Sequence, residues 1–375
     1  MIPEGIQTIN TKFDTWIIKQ PFGYRVFNRQ LDELTHTLYD DVRQNDQWLA
    51  LRKNSVWSVF SKSIDDEPII GVDSVKLLGE DIVLIFRDLV GMAIFPNKKI
   101  VEFIDGEDLQ SLTREGGNTV HYLRINRSNQ NLIYEDGELL FETEYDEVGY
   151  ISDNAFFVRE GEKFGAVDRD GRLIMRVRYD AIGVADQGIA PVIFRGKFGG
   201  FNFKDKILLK LDFDERLRFY NDSLLISSLG GNKGLLSIKN QVILEPEYEQ
   251  LQFWSDSLAL AKNDNEWFLL NIYSGEIKNE GILDYTFLKN NDSEKLIKFL
   301  TATGFGMMSN RRGIIIEPTY NDLINLGDED VQLYFGEKHV PEASFYVVVY
   351  MDSEGKSLRS QAFRSTEYQR IVCDN

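Results

Sequence analysis

The chain has 375 residues, 43% hydrophobic and 12% aromatic, which is ample material for a core and excludes wholesale disorder. Its 60 acids against 42 bases give a net charge of −18, a surface that repels a phosphate backbone and attracts basic partners, so direct nucleic-acid binding is not expected. The single cysteine, Cys373, excludes an internal disulfide and fits a reducing, cytoplasmic setting.

The first 20 residues, MIPEGIQTINTKFDTWIIKQ, carry Glu4 and Asp14 and lack the apolar stretch of a secretory signal. Two sequence anchors then recur: an aromatic residue before glycine, and an aromatic residue before an acid. Phe22-Gly23 precedes Tyr39-Asp40 by 17 residues, around a helix-like stretch from Asn28 to Leu38. Trp57-Ser58 precedes Val72-Asp73 by 15, Val90-Gly91 precedes Ile104-Asp105 by 14, and Gln130 precedes Tyr145-Asp146 by 15. No membrane span is expected, because DIVLIFRDLVGMAIF (81–95) is broken by Arg87 and Asp88 and FYVVVYM (345–351) has only a strand's length.

From residue 145 onward the phase is sharp. Phe164-Gly165 leads to Tyr179-Asp180, Phe198-Gly199 to Phe213-Asp214, Lys233-Gly234 to Tyr248-Glu249 and Phe305-Gly306 to Tyr320-Asn321, always 15 residues later. Successive second anchors from Tyr145 to Tyr248 are 34, 34 and 35 residues apart. Trp267-Phe268 opens a degenerate unit near Asp284-Tyr285, and YVVVYMDSEGKSL (346–358) closes the series. Phase-locked self-similarity of this kind is the signature of a repeat protein, here of nine units and a fragment.

Inside one unit the apolar spacing is mostly two, the period of a strand. Asp170-Gly171 is a hairpin dipeptide, residues 173–175 read as a return strand, 179–184 as a third and 189–194 as a fourth after Asp186-Gln187-Gly188. Asp136-Gly137 and Asn240 recur at the first turn, and Pro246 and Pro318 shortly before the second anchor. Such short strands cannot bury their own faces and are stable only when units stack.

These residues, most completely NKGLLSIKNQVILEPEYEQLQFWSDSLALAKNDNEWFLL at 232–270, resemble the WG-repeat proteins of bacteria. Lys233 stands where that family has an aromatic, and neither Trp57 nor Trp267 is followed by glycine. The resemblance implies β-rich arrays in interaction and accessory proteins, and no shared catalytic residues. The expected fold is therefore an all-β array of about nine to ten antiparallel units of roughly 34 residues. An open solenoid or superhelix suits that unit length and number better than a β-propeller closure, which remains the alternative. The expected divisions are an N-terminal cap with a first degenerate repeat (1–42), divergent repeats (43–129), WG-like repeats (130–340) and a C-terminal partial repeat or cap (341–375).

Candidate chemistry is sparse. His36, His121 and His339 fall in distant units without metal-ligand spacing, no G-x-S-x-G supplies a nucleophile, and LGGNKG (229–234) lacks phosphate-loop spacing. Asp65-Asp66-Glu67 and Asp328-Glu329-Asp330 read first as solvated turns. The acid after each aromatic reads as scaffold, since a catalytic group is needed once and this one recurs. No catalytic residue, metal or cofactor is expected.

Binding is the remaining function. Tyr150, Phe219-Tyr220 and Phe253-Trp254 share one slot about five residues past the second anchor, and in a strand one member of each doublet faces outward. Seven acids and no base lie between Glu135 and Glu147, and nine acids with one lysine between Glu317 and Glu354. Stacked in register, they would line a face that steers a basic protein. The expected contact residues are Tyr220, Trp254, Asp328, Glu329 and Asp330, in a non-catalytic adaptor, inhibitor or immunity-type scaffold. The alternative is a carbohydrate-binding or glycoside-processing module, which would show two carboxylates converging in an aromatic-lined cleft.

Overall fold

The computed structural model describes residues 7–10, 15–28, 30, 32–61, 67–87, 90–104, 106–112, 120–291, 293–327 and 332–368. Almost every regular element there is a β-strand, and consecutive strands form small antiparallel sheets, none closed into a barrel. Among the described residues no helix is long and apolar enough to cross a membrane.

Two compact units divide the chain, Met1–Gly196 and Lys197–Asn375. In the first, a three-stranded sheet (7–28) is followed by four-stranded sheets over 41–72, 74–104, 108–143 and 147–179, and by the strand pair Ala181–Ile182 and Ile189–Phe194. In the second, the strand pair Lys197–Asn202 and Ile207–Leu208 precedes a four-stranded sheet (218–248), a seven-stranded sheet (250–320) and a four-stranded sheet (322–364). The seven-stranded sheet is two quartets sharing one strand. Ile277–Asn290, 14 residues long, is the last strand of one quartet and the first of the next. After Tyr39, Tyr145, Tyr179 and Phe213 an acid caps a turn; here Ile282-Leu283 takes that place and the strand runs through.

The sequence repeat and the sheet are out of step by half a unit. The aromatic-glycine anchor opens the third strand of a sheet and the aromatic-acid anchor ends the fourth, so the acid already belongs to the junction with the next sheet. The 15-residue offset is a strand register. Phe164 pairs with Tyr179, Lys233 with Tyr248, Trp267 with Ile282, Phe305 with Tyr320 and Trp57 with Val72. Near the N-terminus Tyr24 exchanges backbone hydrogen bonds with Tyr39, which restores the same offset, while Phe22 is 88% exposed in a turn. The helix expected from Asn28 to Leu38 does not form among the described residues. Asn28 accepts the Asp32 N–H on its side chain (2.8 Å) and donates its own N–H to the Asp32 carbonyl (2.9 Å), closing a turn in place of a helix.

The anchor glycine has a steric cause. Between the third and fourth strands the register slips: Phe164 pairs with Tyr179 but Ala166 with Met175, leaving two extra residues in the fourth strand. The bulge pushes backbone against the glycine, so that a Cβ on Gly165 would lie 2.7 Å from the Met175 carbonyl oxygen, and one on Gly234 2.6 Å from that of Leu244. Where the slip is one residue, glycine is absent. Trp267 pairs with Ile282 and Leu269 with Asn279, with Phe268 between; Trp57 pairs with Val72 and Val59 with Ile69, with Ser58 between.

The core lies between successive sheets. In the strand Trp48–Lys53, Leu49 and Leu51 pack with Ile17 and Val26 of the sheet before, whereas Trp48 and Ala50 pack with Val75, Val83 and Ile85 of the sheet after. The second strand of a sheet is thus buried on both faces and reads as a continuous apolar run, unlike the half-buried alternation expected of it. The same sharing recurs from sheet to sheet within each unit.

Candidate interaction surface

The recurrent acid is a link between sheets. Asp180 accepts from Lys163 Nζ of the preceding sheet (2.6 Å) and from the Gly196 N–H in the hairpin turn that follows (3.3 Å). Asp214 repeats both contacts with Lys197 (2.6 Å) and the Gly230 N–H (2.7 Å), and Asp146 and Asp40 cap the turns at Gly161 and Asn54. The hydrogen bond from Lys163 holds the Asp180 carboxyl below the usual carboxylate range, and that from Lys197 does the same for Asp214.

The acidic run from Glu135 to Glu147 is largely committed inside the fold. Glu135 pairs with Arg169, Glu138 with Lys99 and Glu147 with Arg159, while Asp136, Glu142 and Asp146 accept from His121 N–H, Gln130 and Gly161 N–H. In the later run Asp322 pairs with Lys298, Glu337 accepts from Tyr368 and Asp352 caps its own turn. Asp328, Glu329 and Asp330 lie outside the described residues, as do Asp65, Asp66 and Cys373.

The two aromatic contact residues expected at the surface are core. Tyr220 is 7% exposed, its hydroxyl donates to the Leu258 carbonyl (3.1 Å) and its ring meets Phe253 edge-on at 5.1 Å. A register slip between Phe219 and Asn221 turns it inward. Trp254, 1% exposed, follows the strand Gln250–Phe253 and packs with Leu260, Leu269, Ile282 and Ile297. Their companions Phe219 and Phe253 are half-buried, so the slot forms no exposed stripe. The histidines stay apart: His36 is exposed, His121 Nδ1 sits 2.9 Å from Asp81, and His339 stacks on Tyr346 at 4.3 Å. Among the described residues no three His, Cys, Asp or Glu side chains gather as a metal-binding group.

A different surface feature follows the register. In the first unit Ile100, Leu139 and Leu173 are 53%, 49% and 49% exposed; in the second, Val242, Ile277 and Ile314 are 41%, 48% and 39% exposed. Each occupies the first or second position of a fourth strand, and all but Ile100, whose strand pair runs in unbroken register, pair with a third-strand residue next to a bulge, as Leu173 does with Val167 and Val242 with Leu236. The sequence carried a signal for them: Leu139, Leu173, Val242 and Ile314 each stand six residues before the second anchor. Exposed aliphatics scattered singly need no explanation, but repetition at one register position marks a surface that can cover or be covered; five of the six lie on edge strands, and Ile277 lies on the shared strand ahead of its pairing with the next quartet.

Residues 132–164, 164–198 and 234–267 each match the family described as WG containing repeat. A comparison with curated proteins gives no match. Among solved structures, one titled as a eukaryotic initiation factor is similar over 97% of this chain and 89% of its own, at 10% identity and a TM-score of 0.33. Hsv2p of Kluyveromyces lactis is similar over 75% of this chain and 99% of its own, at 13% identity and a TM-score of 0.26. PorZ of Porphyromonas gingivalis, a surface component of the type-IX secretion system, is similar over 86% of this chain and 52% of its own, at 9% identity and a TM-score of 0.23. Each matched segment runs from the third strand of one sheet to about the third strand of the next, in the same half-unit phase as the sequence repeat. Three segments of the chain between residues 132 and 267 are thus similar to the WG containing repeat.

Proposed function

We propose that the protein is a non-catalytic scaffold that docks a basic protein partner on the open fourth-strand edges of its sheets. The register-matched aliphatics carry this reading: Leu139 and Leu173 in one unit, and Val242, Ile277 and Ile314 in the other, offer an apolar residue at the same point of successive sheets. Repeat arrays recognise partners by such repetition over extended surfaces. Six of the seven acids between Glu135 and Glu147 already have donors in the chain, so the net charge of −18 acts mainly as long-range steering of a cationic partner rather than as paired contacts.

The test is retention of partners on the immobilised chain at rising salt, with wild type beside a variant carrying Leu139→Ser, Leu173→Ser, Val242→Ser and Ile277→Ser. A stoichiometric basic protein, lost as salt rises and held at least about tenfold more weakly by the variant, is the expected result. Equal retention by both proteins, or binding to polysaccharide resin in place of protein, overturns the reading.

A further inference from the structure

In the second unit, a groove of about 230 Å³ lies beside Lys233, lined by Ile226, Leu251, Arg216, Arg218, Glu215 and Glu249, among others. Its origin is a substitution within the repeat. Lys233 occupies the third-strand position that holds Phe164, Trp267, Phe305 and Trp57 in other sheets, as their identical pairing with the second anchor shows. Those rings are packed. Phe164 meets Phe157 at 5.7 Å, Trp267 meets Tyr285 at 5.0 Å, and Trp57 carries the guanidinium of Arg43 at 4.8 Å. At Lys233 the ammonium instead bends to Glu215 (2.8 Å) and Ser228 Oγ (3.0 Å), and the space of a ring is left over Ile226 and Leu251.

Three cations, Lys233, Arg216 and Arg218, line this groove against two carboxylates, Glu215 and Glu249. Lys233 holds Glu215 ionised below the usual carboxylate range. Arg216 and Arg218 are exposed and make no ion pair among the described residues, although the chain carries 60 acids against 42 bases. An apolar floor of Ile226 and Leu251 beside two exposed guanidiniums, of which Arg218 also acts on Glu215, matches a planar aromatic group bearing an oxyanion. Guanidinium suits both parts, stacking on the ring and pairing with the oxyanion in a bidentate fork.

We propose that this groove is a binding site for a small aromatic anion, whose ring enters the slot vacated at Lys233 and whose carboxylate or phosphate is held by Arg216 and Arg218. The site is independent of the partner-docking edges. Indole is the natural ring for a probe, since the equivalent slot holds the Trp57 and Trp267 indoles elsewhere in this chain.

The experiment is calorimetric titration of the full-length protein with indole-3-acetate, beside the neutral indole-3-acetamide and acetate alone. Saturable one-site binding of indole-3-acetate is expected, with the amide at least about tenfold weaker and acetate weaker still. Arg216→Gln with Arg218→Gln, two exposed changes that leave the melting temperature in place, should weaken indole-3-acetate by the same factor. Lys233→Trp refills the slot from within and should abolish binding. No saturable binding of indole-3-acetate to wild type, or an affinity unchanged by the arginine pair, overturns the proposal.

Discussion

At the scale of single residues, position in the register decides role more than residue type does. Trp254 and Tyr220 look like exposed recognition aromatics in the sequence, yet one sits among the aliphatics of two quartets and the other donates its hydroxyl to a backbone carbonyl. Trp254→Ala should therefore cost about 3–5 kcal/mol, as expected for a large-to-small change in a core that collapses poorly, and should lower the urea midpoint without changing the slope. An unchanged midpoint would return Trp254 to the surface. The acid after each aromatic has the opposite character, being exposed but bonded on both sides. Because Lys163 and Lys197 depress the folded-state pKa values of Asp180 and Asp214, the stability these links add is fully present above the unfolded carboxylate value of about 4 and is lost as pH falls through the lower folded values. Asp214→Asn should lower the urea midpoint at pH 7 and narrow the difference between the pH 7 and pH 3 midpoints relative to wild type. A difference as wide as that of wild type would mean that Asp214 is not one of the links.

At the scale of the element, the third and fourth strands form the unit that the sequence displays most clearly, since their pairing fixes the 15-residue offset. Bulge width is written there too, in whether glycine follows the aromatic. Gly165→Ala puts a Cβ 2.7 Å from the Met175 carbonyl oxygen and should cost about 1–3 kcal/mol as overpacking. Ser58→Ala, at the equivalent place beside a one-residue slip, should stay within about 0.5 kcal/mol. Equal effects in chemical denaturation would break the link between glycine and bulge width. The strand count per unit, the hairpin turns and the period were legible because each rests on local chemistry. Inward or outward facing at Phe219-Tyr220 was not, because it depends on a register slip set by the neighbouring strand. The exposed aliphatics were equally hidden: Leu173 and Val242 look like ordinary strand hydrophobics until the outer edge is seen to lack a partner strand.

At the scale of the molecule, stability is assembled by contacts between neighbouring sheets, and this predicts where coupling ends. Leu49 and Ile17 share the cluster between the first two sheets, whereas Phe156 lies in the cluster between the sheets over 108–143 and 147–179, within the same compact unit. In an array where each sheet touches only its neighbours, free energy is a sum of unit terms and nearest-neighbour terms. Ile17→Val combined with Leu49→Ala should then depart from additivity by about 0.5 kcal/mol or more, because the two share partners. Ile17→Val combined with Phe156→Leu should add to within about 0.5 kcal/mol, because no cluster contains both. The comparison needs all single and double variants in urea with matched slopes, since a change of slope would mean that part of the array unfolds separately. Strong coupling between Ile17 and Phe156 would show that the sheets of this unit act as one cooperative core, and the nearest-neighbour account of its stability would fail.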